Sequence, residues 1–306
     1  MHKIIFLVGP TASGKTEVAV SLAKKLGADI ISCDSMQVYR RMDILSQKPS
    51  VAQRASAPHH MVGILNPSSE FNVADYKTRV ERIIKRIIKK GKKPLIVGGS
   101  GLYVKALVDG LFPSEPGSAK LRAGFRRLLK KYGKKYLYNR LKRIDPETAE
   151  TIHPNNVRRV IRALEICRTS KATVSELKKQ TRGLSSEYDI VIIGLRHERS
   201  VLYDRINERV DKMFRDGAVK EVRSLKRKKI SQTARSILGY KEILGYLDGK
   251  YSLPEAARLL KRNTRRFAKR QLTWFRRDSR IIWIDIGRDG NKNKVANKIF
   301  KVINKK

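Results

Sequence analysis

The stretch Gly9-Pro10-Thr11-Ala12-Ser13-Gly14-Lys15-Thr16 decides the fold, and it directly follows the apolar run Lys3-Ile-Ile-Phe-Leu-Val8. A strand that ends in such a loop and leads into a helix is the setting that a phosphate-binding P-loop requires. Glycines allow backbone N–H groups to wrap phosphate oxygens, and the N-terminus of the next helix adds a favourable dipole. In this pattern Lys15 reaches the outer phosphates and the Thr16 hydroxyl can ligate Mg²⁺. We therefore predict that all eight residues bind a diphosphate, although the motif leaves the reaction open.

Outward from this loop, strand and helix patterns alternate through the first 110 residues. Short apolar runs predict strands over 28–33 and 94–99, and a helical period over 74–90 places its isoleucines on one face. Strands that alternate with helices indicate a parallel sheet that binds ligands at the carboxyl ends of its strands. The expected fold class is α/β, with a P-loop NTPase-like parallel-sheet core.

The alternation stops near residue 112. Residues 111–117 contain two prolines, and from there to about residue 182 the pattern is helical and basic with no strand signal. Strand patterns return over 188–195 and 280–286. We therefore expect a core built from residues 1–112 and 187–306, interrupted by an inserted all-helical domain over residues 113–186.

Charge is the most informative part of the composition. The formal net charge is +41, with 18 Lys+Arg against 8 Asp+Glu in residues 1–110 and 51 against 20 in the remainder. Such a surplus is far beyond what solubility requires and indicates a polyanionic partner. A generally lysine-rich proteome would raise the total, but it would not make the second part of the chain the more basic one. Nucleic acid is the favoured partner class.

The composition also indicates the cellular compartment in which the protein works. Hydrophobic residues make up 41% of the chain, and no stretch approaches the roughly 18 consecutive apolar residues that a membrane helix needs. The apolar run near the N-terminus is too short and too strand-like for a secretion signal. Cys33 and Cys167 have no metal-ligand spacing, so we expect two core thiols in a reducing compartment. The expectation is a cytoplasmic monomer without a membrane partner.

Two absences from the sequence narrow the reaction. The third strand ends in Gly98-Gly99-Ser100, where an ATPase has the aspartate that holds Mg²⁺. The chain also lacks the paired-aspartate box that grips diphosphates in many prenyl-transferring enzymes. The P-loop itself must therefore hold the phosphates, and nucleotide hydrolysis lacks an obvious partner.

Asp34 stands at the end of the second predicted strand, within Asp34-Ser35-Met36-Gln37-Val38-Tyr39. A carboxylate at that strand end faces the same crevice as the P-loop. It can take a proton from a nucleophile that approaches the phosphate-bearing substrate. The spacing is equally compatible with an aspartate that only closes a turn or caps a helix. Both interpretations stay open on the residues alone.

Ten short motifs are distributed over nearly the whole chain, and together they resemble one family, the tRNA dimethylallyltransferases (tRNA isopentenyltransferases). The set is specific, because no other P-loop family known to us shares it. One segment departs from the family pattern, since Leu45-Ser46-Gln47 stands where Gly-Thr-Ala is usual. The motifs are GPTASGKT at 9–16, DSMQVY at 34–39, MDI at 42–44, APHH at 57–60, VADYK at 73–77, VGGSGLY at 97–103, IHPNN at 152–156, RALEI at 162–166, LGYKEI at 238–243 and TRRFAKRQLTWFR at 264–276.

The resemblance implies a reaction. A dimethylallyl group would pass from dimethylallyl diphosphate to the exocyclic amine of the adenosine 3′ of the anticodon in tRNA, with release of diphosphate. The donor's diphosphate would lie in the P-loop with Mg²⁺ as cofactor and Thr16 as a metal ligand. The partner would be the anticodon stem-loop, whose flipped-out adenine reaches the donor through a channel.

The resemblance also implies catalytic residues. Asp34 corresponds to the base that contacts the adenine's amine, and Arg209 to the arginine that supports the diphosphate. Ser100 stands where the family usually has Thr, beside donor and tRNA, and it would also be a good N-cap for the helix that follows. Without the resemblance, Arg205 and Arg209 would be interpreted as exposed partners of acidic neighbours on the same helix.

The implied tRNA contacts form two groups. One lies around the end of the second strand, and the other lies in the basic helical region, where charge runs are otherwise usually solvated faces. The residues are Asp34, Ser35, Met36, Gln37, Ser100, Arg122, Arg158, Arg159, Val160, Ile161 and Arg162.

Two other functions are compatible with the residues by themselves. A small-molecule kinase would use the same P-loop, consume ATP and need no RNA. A non-catalytic RNA-binding protein would keep the basic surface and a degenerate P-loop.

The charge distribution predicts a strong effect of salt on tRNA binding. The association constant should fall on the order of a hundredfold or more between 50 and 200 mM salt, because each neutralised phosphate releases counterions. Filter binding over that range measures the slope, and Arg159→Ala should reduce it by about one unit if that side chain touches phosphate. A flat salt response would mean that the positive charge is not a binding surface.

Overall fold

The computed structural model describes residues 1–112, 118–287 and 290–305. Its chain divides into two compact units, Met1–Val108 with Glu187–Lys306 and, between them in sequence, Asp109–Ser186. The predicted start of the insertion at residue 113, and most of the proline-containing exit at 111–117, lie outside the described residues. None of the described helices combines the length and apolarity that a membrane span requires.

A six-stranded parallel sheet forms the centre of the first unit, in the order β3-β2-β4-β1-β5-β6. β1 pairs with β4 on one side and β5 on the other, so the loop after β1 opens at the middle of the sheet's carboxyl edge. This arrangement confirms the predicted α/β fold class. The strands are β1 (Lys3–Val8), β2 (Ala28–Cys33), β3 (His59–His60), β4 (Lys93–Gly98), β5 (Asp189–Arg196) and β6 (Ile281–Asp285).

Helices account for most of the remaining described residues, and α5 to α8 belong to the second unit. In chain order the helices are α1 (Lys15–Leu26), α2 (Val51–Ser56), α3 (Val73–Lys89), α4 (Gly101–Val108), α5 (Ala119–Ile144), α6 (Pro146–Glu150), α7 (Val157–Ser170), α8 (Val174–Lys179), α9 (Arg199–Arg215), α10 (Ala218–Lys226), α11 (Tyr240–Leu247), α12 (Leu253–Phe275) and α13 (Lys292–Lys305).

Burial explains why the strands form where they do. Every residue of β1 after Lys3 is buried, and so is all of β2. Between the sheet and α1 lies a core that includes Leu22 from α1 and Ile299 from α13. Full burial of such a side chain contributes about 1.5–3 kcal/mol. Helix α3 likewise buries Val80 and its neighbours at helical spacing, and it begins at a capping box on Asn72.

Two glycines allow the strand ends to approach closely. A Cβ on Gly98 would lie 2.0 Å from the carbonyl oxygen of Cys33, and a Cβ on Gly9 would lie 2.6 Å from that of Leu195. Gly9 also has φ +153°, which L side chains rarely adopt. Glycine is therefore required at the point where β1, β2, β4 and β5 bring the site's loops together.

The described residues of the second unit form helices joined by short loops, with no strand among them, and α5 bends at Gly133, where φ is 76°. Its core contains Phe125, Leu141 and Val160. Glu165 is 1% exposed within this unit, and its carboxylate accepts a hydrogen bond from Arg122 Nε at 2.9 Å. The unit therefore has a hydrophobic core of its own and an ion pair between a buried carboxylate and a half-exposed arginine.

Asp145 joins two helices of the second unit. Its Oδ1 accepts from Thr148 N–H at 3.0 Å and its Oδ2 accepts from Ser175 N–H at 3.1 Å, at the starts of α6 and α8. Burial would raise the pKa of Asp145, but the hydrogen bonds from Thr148 and Ser175 outweigh it and leave the pKa below its usual value. Its contribution to stability is therefore present above the unfolded pKa and is lost as pH falls through the folded one.

Asp145→Ala should lower the free energy of unfolding of the second unit by about 2–4 kcal/mol, because two backbone N–H groups lose their acceptors. Amide hydrogen exchange of α6 and α8 in increasing urea measures this loss. Glu150→Ala, an exposed position on α6, is the matched control and should change it by less than about 0.5 kcal/mol. Equal effects of the two substitutions would show that Asp145 does not hold the helices together.

Candidate active site

A cavity of about 680 Å³ opens where β1 passes into α1. Its lining brings together most of the predicted donor loop, from Thr11 to Thr16, with Arg209 and with Asp34 and Gln37, which were predicted to contact the tRNA. Ser100 does not line this cavity but contacts the Asp34 turn. All of these residues belong to the first unit.

The P-loop is tightly wound. Gly14 has φ 80°, Ala12 has φ 63°, and Ser13 N–H donates to Pro10 O at 3.3 Å. Lys15 starts α1, and its ammonium donates to Pro10 O at 2.6 Å and to Ser13 Oγ at 3.4 Å. The lysine is thus folded back over its own loop, where it meets whatever anion the loop binds.

Two further basic side chains hold the loop from α9 and from the end of β5. Arg205 Nε donates to Ala12 O at 2.9 Å, and His197 Nε2 lies 3.3 Å from Ser13 O. Burial first, and then the charge of Arg205, lowers the pKa of His197, so the neutral ring donates through Nε2. The sequence analysis did not find His197, and it considered Arg205 only as a surface pair. In the structure Arg205 supports the P-loop.

Lys15 and Arg209 place two cations in the same electrostatic environment. Burial, and then the charge of Arg209, lowers the pKa of Lys15 to about 7, while Asp34 and Glu17 act in the opposite direction. Burial also lowers the pKa of Arg209, again against Asp34 and Glu17. The alternative interpretation of Arg209 as a surface pair is therefore wrong, because the side chain shares the cavity with Lys15. Such a group of cations is suited to bind a polyanion.

Asp34 closes a turn immediately after β2. Its Oδ1 accepts from Met36 N–H at 2.8 Å, and the adjacent Ser35 N–H donates to Ser100 Oγ at 3.3 Å. The predicted turn role is therefore present, and Ser100 holds the same turn through its hydroxyl. These bonds fix the direction in which the carboxylate faces.

Both ends of the Gln37 amide form hydrogen bonds within the wall of the cavity. Its Oε1 accepts from Ser32 Oγ at 2.7 Å, and its Nε2 donates to Gln47 O at 3.1 Å. Glu221 holds the same loop, since its carboxylate accepts from three successive N–H groups between Asp43 and Leu45, at 2.8 to 3.0 Å. These bonds hold the loop that contains Leu45-Ser46-Gln47, the segment that departs from the family pattern.

Gln271, like His197 and Glu221, is a residue of the site that the sequence analysis missed. Its Oε1 accepts from Thr11 N–H at 2.8 Å, and its Nε2 donates to Gly99 O at 2.9 Å. The residue lies on α12, within a motif that pointed to the family but gave no role to this glutamine. Sequence separation hid the contact, because Thr11 and Gln271 are 260 positions apart.

The second group of predicted tRNA contacts lies in the second unit. Arg158 and Arg159 are exposed on α7, whereas Val160 is 1% exposed and packs in the helical core. Ile161 packs against the same core, and Arg122 and Arg162 both face the buried Glu165. Val160 therefore supports the helix and offers no side chain to a partner, because its neighbours in the core surround it.

Comparisons with known proteins bear on the whole chain. A family model described as IPP transferase matches residues 37–278. A tRNA dimethylallyltransferase from Halothermothrix orenii is 46% identical over 302 residues, which is 98% of this chain and 92% of the relative. The chain belongs to the IPP transferase family.

Solved structures of this family have the same fold. The full-length tRNA isopentenylpyrophosphate transferase from Bacillus halodurans is 41% identical, with a TM-score of 0.71 over 98% of this chain and 96% of that one. A eukaryotic dimethylallyltransferase acting on tRNA is 29% identical, with a TM-score of 0.79 over 93% of this chain and 74% of that one. The cavity described above is thus the candidate active site of an IPP transferase.

The lowered pKa of Lys15 predicts that this member of the family takes up a proton when it binds diphosphate. The lysine must be charged in the complex, so the proton uptake that is due to Lys15 should increase from pH 6 to pH 8, and affinity should fall as pH rises above about 7. Calorimetry with inorganic diphosphate, in buffers of different ionisation enthalpy, measures the uptake.

Two variants isolate the contribution of Lys15. Lys15→Met should remove this uptake, whereas Lys24→Met, an exposed position on the same helix, should keep it. Equal uptake by all three proteins would place the titrating group elsewhere.

Proposed function

We propose that this chain transfers the dimethylallyl group of dimethylallyl diphosphate to the exocyclic amine of the adenosine 3′ of the anticodon in tRNA. The observation that carries the proposal is that Lys15, Arg209 and Asp34 line the same cavity and interact electrostatically there. It is supported by relatives that are named tRNA dimethylallyltransferase and match nearly the full chain. The amine nitrogen forms a bond to the allylic carbon while the carbon–oxygen bond to diphosphate breaks.

The P-loop is the proposed site of the donor's diphosphate. The site comprises the eight residues Gly9 to Thr16. Pro10 has no N–H and Thr11 donates its own to Gln271, so the N–H groups for the diphosphate would come mainly from the N-terminus of α1. Lys15 and Arg209 would neutralise the charge that builds on the departing diphosphate, and this charge is greater in the transition state than in the bound donor. The same pair therefore both binds the donor and accelerates the reaction.

Mg²⁺ is the proposed cofactor. Among the described residues, no group of three or more His, Cys, Asp or Glu is placed to hold a metal ion. This fits a metal that is held largely by the diphosphate oxygens, with the Thr16 hydroxyl in the cavity lining as the protein ligand. When bound, Mg²⁺ supplies positive charge that stabilises the leaving group.

Asp34 is the proposed proton acceptor. Its Oδ1 closes the turn with Met36 N–H, which leaves Oδ2 for the incoming amine. Ser100 acts on the same turn through Ser35 N–H, so its contribution would be to hold Asp34 and its neighbours in place. Ser35, Met36 and Gln37 would then form the acceptor side of the site.

The helical unit is the proposed binding surface for the anticodon stem. Helix α5 has eleven Lys and Arg and no acidic residue, and α7 exposes Arg158 and Arg159. Phosphate contacts of this kind position RNA by shape and charge without reading its sequence. All groups named here come from one chain, and we propose that a monomer is sufficient.

One assay separates this function from its two rivals. The protein is incubated with tRNA and Mg²⁺ and with either dimethylallyl diphosphate or ATP. Transfer of the dimethylallyl group to tRNA supports the proposal, whereas ATP consumption without RNA would indicate a kinase. Binding of tRNA with no transfer would indicate a non-catalytic RNA-binding protein.

Asp34→Asn tests the proton acceptor. The amide keeps the size and the hydrogen bond to Met36 N–H but is a very poor base, so single-turnover transfer should fall on the order of 10²–10⁴-fold. Affinity for both substrates should change little, and a thermal melt should show an intact fold. Near-normal transfer by a folded Asp34→Asn variant would remove Asp34 from the mechanism and make diphosphate the next candidate acceptor.

A further inference from the structure

The amide of Gln271 lies between the two halves of the proposed site. On one side it accepts from Thr11 N–H in the P-loop at 2.8 Å, and on the other it donates to Gly99 O at the end of β4 at 2.9 Å. The residue is only 7% exposed. Both ends of a single side chain are thus used, in a place that water reaches poorly.

Each end of this bridge leads to one substrate. Thr11 belongs to the loop proposed to hold the donor's diphosphate. Gly99 precedes Ser100, whose hydroxyl accepts from Ser35 N–H, next to Asp34. A continuous path therefore runs from the donor loop through Gln271 to the turn that carries the proposed proton acceptor.

The chemistry of the bridge requires a neutral amide. A backbone N–H needs an acceptor and a backbone C=O needs a donor, and the amide of Asn or Gln offers both at every pH, whereas a carboxyl offers both only when it is protonated. Glutamine also fits because residue 99 is glycine, since a Cβ there would lie 2.2 Å from Gln271 Nε2. A carboxylate at this position would still accept from Thr11 N–H but would oppose the carbonyl oxygen of Gly99.

Helix α12 is itself firmly placed. Ala268 packs against Leu202 and Ile206 of α9, the helix that carries Arg209. One turn beyond Gln271, Trp274 lies so close to Gly101 that a Cβ there would be 2.2 Å from the indole ring. The helix therefore contacts α9 and the start of α4 as well as the P-loop, and these contacts hold the Gln271 amide in a fixed position.

We propose that Gln271 is a positioning residue that sets the distance between the bound diphosphate and Asp34. The proposal rests on the proposed function, in which these two groups act on opposite partners of one bond exchange. Gln271 itself touches no reacting atom in this proposal. Its loss should lower the rate of transfer while it leaves the KM for the donor nearly unchanged, because Lys15, Arg209 and the rest of the loop still bind the diphosphate.

Gln271→Glu provides a readout that a general loss of stability would not produce. Above the pKa of the new carboxyl, its repulsion by Gly99 O should lower single-turnover transfer on the order of 10²-fold, as expected for a misplacement of about 1 Å. When protonated, the carboxyl again donates to Gly99 and accepts from Thr11. The ratio of wild-type to variant rates should therefore approach one as pH falls through the pKa of the new carboxyl, which burial raises and the cations of the same cavity, Lys15, Arg205 and Arg209, lower.

Two control variants complete the measurement. Gln271→Leu has no hydrogen-bonding group, so it should be slow at every pH while a thermal melt shows that it is folded. Gln232→Glu, at an exposed position, should match the wild type throughout. A pH-independent rate ratio for Gln271→Glu, or a wild-type rate for folded Gln271→Leu, would overturn the proposal. So would a loss that appears only in the donor KM.

A second measurement does not depend on transfer. Binding of inorganic diphosphate should slow the amide exchange of Ser35 and Met36 in the wild type, and this coupling should be lost in Gln271→Leu at similar diphosphate affinity. If the wild type shows the coupling but transfers nothing to tRNA, the proposed function fails and the bridge stands. If the wild type transfers but the coupling is absent, the bridge fails and the function stands.

Gly99→Ala serves if Gln271→Glu does not fold at high pH. The added Cβ would displace the amide from Gly99 without adding a charge. A fall in kcat with a donor KM within about threefold of wild type is the expected result. An unchanged kcat would overturn the proposal.

Discussion

Two positive charges held together in the wall of one cavity are the constraint on which the active site depends. Burial lowers the pKa of both Lys15 and Arg209, and Asp34 and Glu17 offset this only in part. A cation taken out of water without a matched anion is costly. The arrangement is therefore most stable when a polyanion lies beside both cations, and its effect is largest when negative charge concentrates on the departing diphosphate.

A site that stabilises developing charge has to be held in place before the reaction. The P-loop meets this requirement through distant parts of the chain, since Arg205 binds the carbonyl of Ala12 and Gln271 binds the N–H of Thr11. Arg205 and Gln271 both come after β5 in the sequence, and β5 pairs in parallel with all of β1, the strand that leads into the P-loop. The chain can therefore leave the core after residue 108 and return at residue 187 without loss of support for the loop.

Features that depend on near neighbours could be predicted from the sequence, and those that depend on distant residues could not. The P-loop and the long buried strands follow from local patterns, and the structure has them within about one residue of the predicted limits. β3 has only two residues, too few for any alternation of apolar and polar side chains. Gln271 has no local signal because its partner Thr11 is 260 positions away. Local charges even misled at Arg209, whose environment is set by the packing of α9 on α12.

Asp34 shows that a role in a turn and a role in catalysis do not exclude each other. Its Oδ1 accepts from Met36 N–H, which fixes the carboxylate at the end of β2. An ionised carboxylate has about four lone-pair sites, so one such bond leaves room for a substrate amine. A carboxylate that is already oriented loses little further freedom when the amine arrives, whereas a freely rotating one would have to be ordered at that moment. The turn that the sequence offered as the alternative to catalysis is thus the interaction that orients the proposed base.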